Sequence, residues 1–206
     1  PEFRKIREIY PNFVKLCLTP NLVSEITLQP INRFDIDAAI IFSDILMIPY
    51  GLGQDLKFEK GLGPKLGNLN IDNIIEKKND YFLKKVLPVY EGIKRVKEKI
   101  KNKDLIGFVG APWTILVYML NRESPKKNFD LKKILREKTK IKNLLAKIVE
   151  IICLHADKQI EAGANVIQIF DSWAELLPLA NMEDYCYSPT KKIVEHIKKS
   201  KVSTIC

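Results

Sequence analysis

Apolar residues in this chain gather into short dense runs separated by longer stretches with helical spacing. Ala38–Phe42, Leu105–Gly110 and Val166–Phe170 are nearly unbroken apolar runs rich in β-branched residues. That pattern predicts strands buried on both faces, as in a parallel sheet. Val202–Cys206 reads as a further strand. Between the runs lie helical periods. Phe3, Ile6, Ile9 and Tyr10 share one helical face, and Thr19-Pro20 offers a hydroxyl N-cap and a proline at the first helical position. That helix is expected to run to Arg33 with a kink at Pro30. A helix is predicted around Phe82–Lys101, carrying Leu83, Val86, Leu87, Tyr90, Ile93 and Val96. Asp130 is a candidate cap for the next, whose apolar positions Ile134, Leu135, Ile141, Leu144, Leu145, Ile148 and Ile152 lead to a stop at Ala162-Gly163. A last helix is predicted over roughly Thr190–Lys199. Leu56–Glu59 alternates between two glycine clusters and reads as one arm of a small hairpin. The β-α unit repeats about four times, so the fold class is α/β, with a parallel sheet that is either doubly wound or part of a (β/α)8 barrel.

Composition narrows the classes. The chain has 206 residues, enough for one domain with a real core, and its 46% hydrophobic and 29% charged content is ordinary for a globular protein. No apolar run approaches the length of a membrane span, and no secretory signal opens the sequence. Cys17, Cys153, Cys186 and Cys206 show no metal or disulfide spacing, so a reduced, cytoplasmic setting is expected. The formal charge is +9, from 34 Lys+Arg against 25 Asp+Glu. Its lysines are interleaved with apolar residues at helical spacing, as in Lys94–Lys99 and Lys132–Lys138, and no aromatic platform accompanies them. A solvated helix face, not nucleic-acid binding, follows. The glycines between Tyr50 and Gly67 have neither a P-loop nor a dinucleotide spacing. The sequence opens at Pro1 and stops inside an apolar stretch, so a piece of a longer protein is expected.

Chemistry gathers where the strands end. Ser43-Asp44 follows the first run, Ala111-Pro112-Trp113-Thr114 the second with Tyr118 one turn on, and Asp171-Ser172 the third. In a parallel sheet all three ends share one edge, where α/β proteins place their chemistry. Asp44 is read two ways, as the cap of the following turn or as a functional carboxylate. The set would suit orienting a substrate with N–H groups and does not resemble a hydride- or phosphoryl-transfer site.

These segments carry a resemblance. Leu28-Gln29-Pro30 through Phe42-Ser43-Asp44-Ile45-Leu46, Gly107–Thr114, and Gln168-Ile169-Phe170-Asp171-Ser172-Trp173-Ala174 together resemble the uroporphyrinogen decarboxylase family, over essentially the whole chain. The resemblance implies a (β/α)8 barrel, here a single incomplete domain over 1–206 with about four to five strands. It implies a homodimer when full length, without cofactor or metal, acting on a small-molecule tetrapyrrole. The implied reaction removes CO2 from the four acetate side chains of uroporphyrinogen III to give coproporphyrinogen III in haem biosynthesis. Asp44 falls on the family's catalytic aspartate, which contacts pyrrole N–H groups; Tyr118 and Ser172 fall on its active-site tyrosine and serine and are read as substrate-binding.

There are departures. The family's arginine-containing motif lies just upstream of its Pro-Glu, where this sequence opens, and its histidine lies beyond Cys206. Position 175 is Glu where the family usually has glycine. Arg4 and Arg7 are read as exposed helix arginines. His155 and Cys153 fall on nearly opposite helix faces, so a shared metal is not expected, and His155 and His196 read as surface or core residues. Trp113 and Trp173 either wall a flat pocket or pack at strand ends. The alternatives are a cobalamin- or zinc-linked methyltransferase of the same superfamily and an inactive tetrapyrrole-binding remnant. The 206-residue chain alone is expected to be inactive and prone to aggregate, because an unclosed barrel leaves sheet edges unpaired.

Overall fold

Strand order separates a barrel wall from a doubly wound sheet. If each right-handed crossover adds its strand on the same side, every helix lands on one face. A computed structural model describes residues 2–100, 102–125, 130–131 and 136–206 of the chain. Helices α1 (Glu2–Ile9), α2 (Phe13–Cys17) and α3 (Pro20–Arg33) lead to strand β1 (Ala38–Ile40) and helix α4 (Met47–Gly51). Strands β2 (Leu56–Glu59) and β3 (Gly63–Leu66) precede helices α5 (Ile71–Glu76) and α6 (Asn79–Lys97). Strand β4 (Asp104–Gly110), helix α7 (Pro112–Asn121), the long helix α8 (Lys138–Glu161) and strand β5 (Val166–Phe170) follow. A short helix α9 (Leu179–Met182), a π turn at Glu183–Tyr187, helix α10 (Ser188–Lys198) and strand β6 (Ser203–Ile205) come last.

Among the described residues the main sheet is β1-β4-β5-β6, parallel throughout. Its order follows the chain with no reversal. That is the arrangement of a (β/α)8 barrel wall, with β2 and β3 set apart as an antiparallel hairpin. Ala39, Leu105, Val109, Ile167 and Ile169 are buried in one core with Val23 of α3, Phe82 and Ile93 of α6, Ile148 and Ile152 of α8, and Ile193 of α10. The opposite face is less covered: Ile106, Phe108, Val166, Gln168 and Phe170 are only half-buried, and Ile40 is 51% exposed. The expectation of burial on both faces is thus corrected. The helices lie over one face, and a barrel wall turns the other inward.

Local rules explain most boundaries. Gly163 stops α8 at φ +118, a backbone angle that favours glycine. Pro30 sits inside α3 without ending it, and Phe34 N still reaches Pro30 O at 2.9 Å. Thr19 precedes α3 as expected but does not cap it with its side chain; its hydroxyl donates back to Lys15 O at 2.7 Å. The N-terminal apolar stripe is only partly used. Ile6 is buried, whereas Phe3, Ile9 and Tyr10 are exposed. The predicted helix around Phe82–Lys101 begins earlier and ends at Lys97, and Lys101 lies outside the described residues. So do Ile134 and Leu135, and with them the start of the helix that Asp130 would cap.

Two buried polar groups hold this core in register. Ile41 N donates to Ile106 O, so the even positions of β4 turn their backbone groups toward β1. β1 ends before Phe108 is reached. Gln159 of α8, itself buried, takes over: its Nε2 donates to Phe108 O at 2.9 Å and its Oε1 accepts from Phe108 N at 3.0 Å. Gly107 makes room, since a Cβ there would stand 2.6 Å from Gln159 Oε1. His155, also on α8, is buried with Nδ1 2.8 Å from the Tyr90 hydroxyl, and burial pushes its imidazole down to about 3. It is a satisfied core histidine, as one of the two expected readings had it.

Replacing Gln159 with Leu leaves both Phe108 backbone groups unpaired in the core, and a loss of about 2–4 kcal/mol in urea unfolding is expected. His155 generates a pH slope. The unfolded chain binds a proton below about pH 6.5 that the folded chain refuses until about pH 3, so acid removes stability. Between about pH 4 and 6 its contribution is about 1.4 kcal/mol per unit, rising with pH. Unfolding of His155→Gln across that range should lack this component.

Candidate active site

The carboxyl ends of β1, β4 and β5 lie side by side because the strands pair in parallel register. Asp44, Tyr118 and Ser172 follow these three ends in turn. The exits are also tied to the fold. Phe42 N donates to Thr27 Oγ1 at 2.9 Å, and the same hydroxyl donates to Val23 O, fixing the end of β1 to α3. Ala111 N donates to Phe170 O at 2.8 Å, joining the exits of β4 and β5. Gly110 permits the turn after β1 to press against β4, since a Cβ there would lie 3.1 Å from that of Ile45 and 2.6 Å from Ile115 Cδ1.

Asp44 stands in that turn, and the turn-capping reading is the one its hydrogen bonds bear out. Its Oδ1 accepts from Leu46 N at 2.8 Å and its carbonyl from Met47 N at 3.1 Å, which closes the turn that leads into α4. One N–H is poor compensation for lost water. Burial raises the carboxyl from 3.8 to about 6, against the lowering effect of the Leu46 N–H. Among the described residues no cation forms a salt bridge with it. Its charge is felt by the buried Cys17 thiol, which is pushed far up by burial first and Asp44 second, while Arg7 opposes both. Arg7 is therefore within electrostatic reach of the same thiol. It is half-buried, donates to Pro11 O at 2.9 Å and lies 5.3 Å over the Phe13 ring. The reading as an exposed helix arginine holds for Arg4 and is corrected for Arg7. Phe42 packs against Phe3 and Phe13 at 5.5 and 5.6 Å, placing an aromatic cluster at this strand exit.

Tyr118 is half-buried on α7, and its ring meets that of Trp173 edge-on at 5.9 Å. Ser172 is exposed, as is Glu175 three residues on. Trp113 proves to be core: it is fully buried, stacks edge-on with Tyr185 at 6.1 Å and donates from Nε1 to Trp173 O at 2.8 Å. Trp173 is half-buried, and its own indole N–H has no partner among the described residues. Tyr118 and the residue after Ser172 are thus brought into contact, while Asp44 touches neither of them and shares with them only the carboxyl edge of the sheet.

Sequence reasoning missed the partners. Asp171 accepts from Thr114 Oγ1 at 2.7 Å and from Cys186 Sγ at 3.0 Å. Asp171 was visible as a strand-end carboxylate. Its pairing with a threonine 57 positions earlier has no local signature. His196 likewise pairs with Asp157 at 2.8 Å, across two helices. Among the described residues no three His, Cys, Asp or Glu side chains come together as metal ligands. No helix among them is long and apolar enough to cross a membrane.

Comparison with known proteins places this geometry. The family model described as uroporphyrinogen decarboxylase (URO-D) matches residues 1–206. A uroporphyrinogen decarboxylase of Mesorhizobium japonicum is 39% identical over 204 residues, covering 96% of this chain and 58% of that protein. One from Rickettsia bellii is 40% identical over 200 residues, with 96% and 58% covered. This chain therefore spans 58% of the length of these two relatives. Among solved structures, a methyltransferase from Methanosarcina mazei superposes with a TM-score of 0.75 at 18% identity, covering 92% of this chain and 57% of that one. That likeness is one of fold. Matched over its whole length, the chain belongs to the uroporphyrinogen decarboxylase family.

Proposed function

We propose that the full-length protein removes CO2 from the four acetate side chains of uroporphyrinogen III to give coproporphyrinogen III, with Asp44 as its central catalytic group. The observation that carries this reading is the half-buried carboxyl of Asp44, raised to about 6 by burial and without a salt bridge among the described residues, in the turn after β1. Loss of CO2 from an acetate leaves an electron pair that needs a sink. Protonating the pyrrole ring provides one. The C–CO2 bond breaks, its electrons flow into the charged ring, and CO2 departs. A proton then adds to the exposed CH2 carbon, and loss of the ring proton restores the pyrrole.

Asp44 suits the charged stage. A carboxylate held in a water-poor site gains most when N–H donors and positive charge arrive, so it favours the protonated ring over the neutral one. Its role is electrostatic and orienting, not nucleophilic. Tyr118 and Ser172 are assigned to binding and orienting the substrate at the same edge. The net charge of +9 would also draw in a polyanionic tetrapyrrole. Homodimer formation and a cytoplasmic location belong to the same proposal. A methyl-transfer reading has the fold likeness alone behind it.

Incubating the full-length enzyme with uroporphyrinogen under anaerobic, reducing conditions, then separating products by carboxylate number, tests the proposal. Products with progressively fewer carboxylates are expected; unchanged substrate would refute it. Asp44→Asn should lower kcat by roughly 100-fold or more while the protein stays folded. The ionised carboxylate is the active form, so kcat/KM of the parent should fall as pH drops through about 6, and Asp44→Asn should lack that limb.

Stability should move the other way. The folded chain keeps the Asp44 proton up to about pH 6, whereas the unfolded chain releases it near 3.8. This contribution is complete below pH 3.8 and is lost as pH rises through 6. At pH 7–8, Asp44→Asn should therefore be more stable than the parent by about 2 kcal/mol, after discounting for residual solvent around the group. By pH 4 the gain should vanish in denaturant titrations.

A further inference from the structure

Asp171 directly follows β5, yet both of its carboxylate oxygens are already occupied. Oδ1 accepts from the Thr114 hydroxyl at 2.7 Å, and Oδ2 accepts from the Cys186 thiol at 3.0 Å in the π turn. Because the Thr114 proton is committed to a carboxylate, the lone pairs of its oxygen are turned outward. That oxygen accepts the Trp173 N–H at 3.1 Å. The Trp173 carbonyl in turn accepts from Trp113 Nε1 at 2.8 Å. Both backbone groups of Trp173 are therefore held by the first turn of α7.

Two site residues depend on this arrangement. Ser172 is exposed and lies between Asp171 and Trp173, each of them pinned to α7. Tyr118 rests against the Trp173 ring, one turn along the same helix from Thr114. The chain after β5 and the face of α7 are thus joined at several points, among which the carboxylate–hydroxyl pair is the one that orients the Thr114 oxygen toward Trp173 N.

We propose that Asp171, acting through the Thr114 hydroxyl, is a positioning residue that sets Ser172 and Tyr118 in mutual register for substrate. It touches no reacting atom. The inference rests on the decarboxylase reading above and adds to it a residue pair that orients the two binding groups. A macrocycle that must present one acetate after another needs a fixed rim, and misplacement of about 1 Å is enough to cost about 100-fold in rate. Loosening the rim should therefore slow the chemistry and release partly decarboxylated intermediates early.

The test uses the full-length enzyme and follows kcat, KM and the distribution of products by carboxylate number. Thr114→Val keeps the shape and removes the hydroxyl. A fall in kcat of about tenfold or more is expected, with KM changed less and intermediates accumulating. Thr114→Ser restores the hydroxyl and should return kcat and the product pattern to within about threefold of the parent. A purely structural threonine would lower the melting temperature without altering the product pattern. Should Thr114→Val not yield folded protein, Asp171→Ala and Asp171→Asn make the same comparison, since the asparagine oxygen can still accept the Thr114 proton. An active parent whose Thr114→Val variant keeps the parental kcat and product pattern overturns the inference. So does a Thr114→Ser variant as impaired as Thr114→Val. A parent that leaves uroporphyrinogen untouched overturns the decarboxylase reading and this inference with it.

Discussion

Two backbone hydrogen bonds, Ile41 N to Ile106 O and Ala111 N to Phe170 O, join the exits of three consecutive strands. Everything proposed for the site depends on that parallel registry. A shift by one residue in β4 would exchange its faces and send Leu105, Gly107 and Val109 away from the helices. The registry is itself protected. Where β1 stops short, Gln159 supplies the missing donor and acceptor to Phe108, and Gly107 and Gly110 leave space for the groups that press against β4. Small residues at these two points let the layers approach closely enough for the strand ends to share one edge.

The same edge carries two carboxylates in different surroundings. Asp44 is half-buried with a single backbone N–H for compensation, and burial raises its carboxyl to about 6, at a cost in stability near neutral pH. The turn itself does not require a carboxylate there, because an asparagine oxygen would accept the Leu46 N–H as well. Asp171 offers the contrast. Each of its two oxygens accepts a side-chain donor, from Thr114 and from Cys186. One strand-end carboxylate accepts a single backbone N–H and the other accepts two side-chain donors, and the roles proposed for them, substrate contact and positioning, follow that difference.

Much of this was legible along the chain. The apolar runs at Leu105 and Val166 became β4 and β5 close to their read limits, Gly163 ended α8, and Leu56–Glu59 formed one arm of a hairpin. Periodicity and punctuation are local properties, and a sequence displays them directly. Three motifs in order carried the family assignment as well. Other features were not displayed. A continuous apolar run does not distinguish a strand covered on both faces from one whose second face lines a barrel, so the 51% exposure of Ile40 was not foreseen. Gln159 to Phe108, His155 to Tyr90 and Thr114 to Asp171 each join residues more than 50 positions apart. Such pairs exist only once the helices are packed. The half-buried state of Arg7 is hidden in the same way, because it depends on Phe13 and Pro11 folding back over it.

The most direct test of the central claim is a crystal structure of the full-length protein with coproporphyrinogen bound under reducing conditions. The account expects the macrocycle at the carboxyl edge of β1, β4 and β5, with its pyrrole N–H groups donating to the Asp44 carboxylate and with Tyr118 and Ser172 on the same rim. A macrocycle seated elsewhere, or an Asp44 side chain turned away from the pyrrole nitrogens, would contradict it.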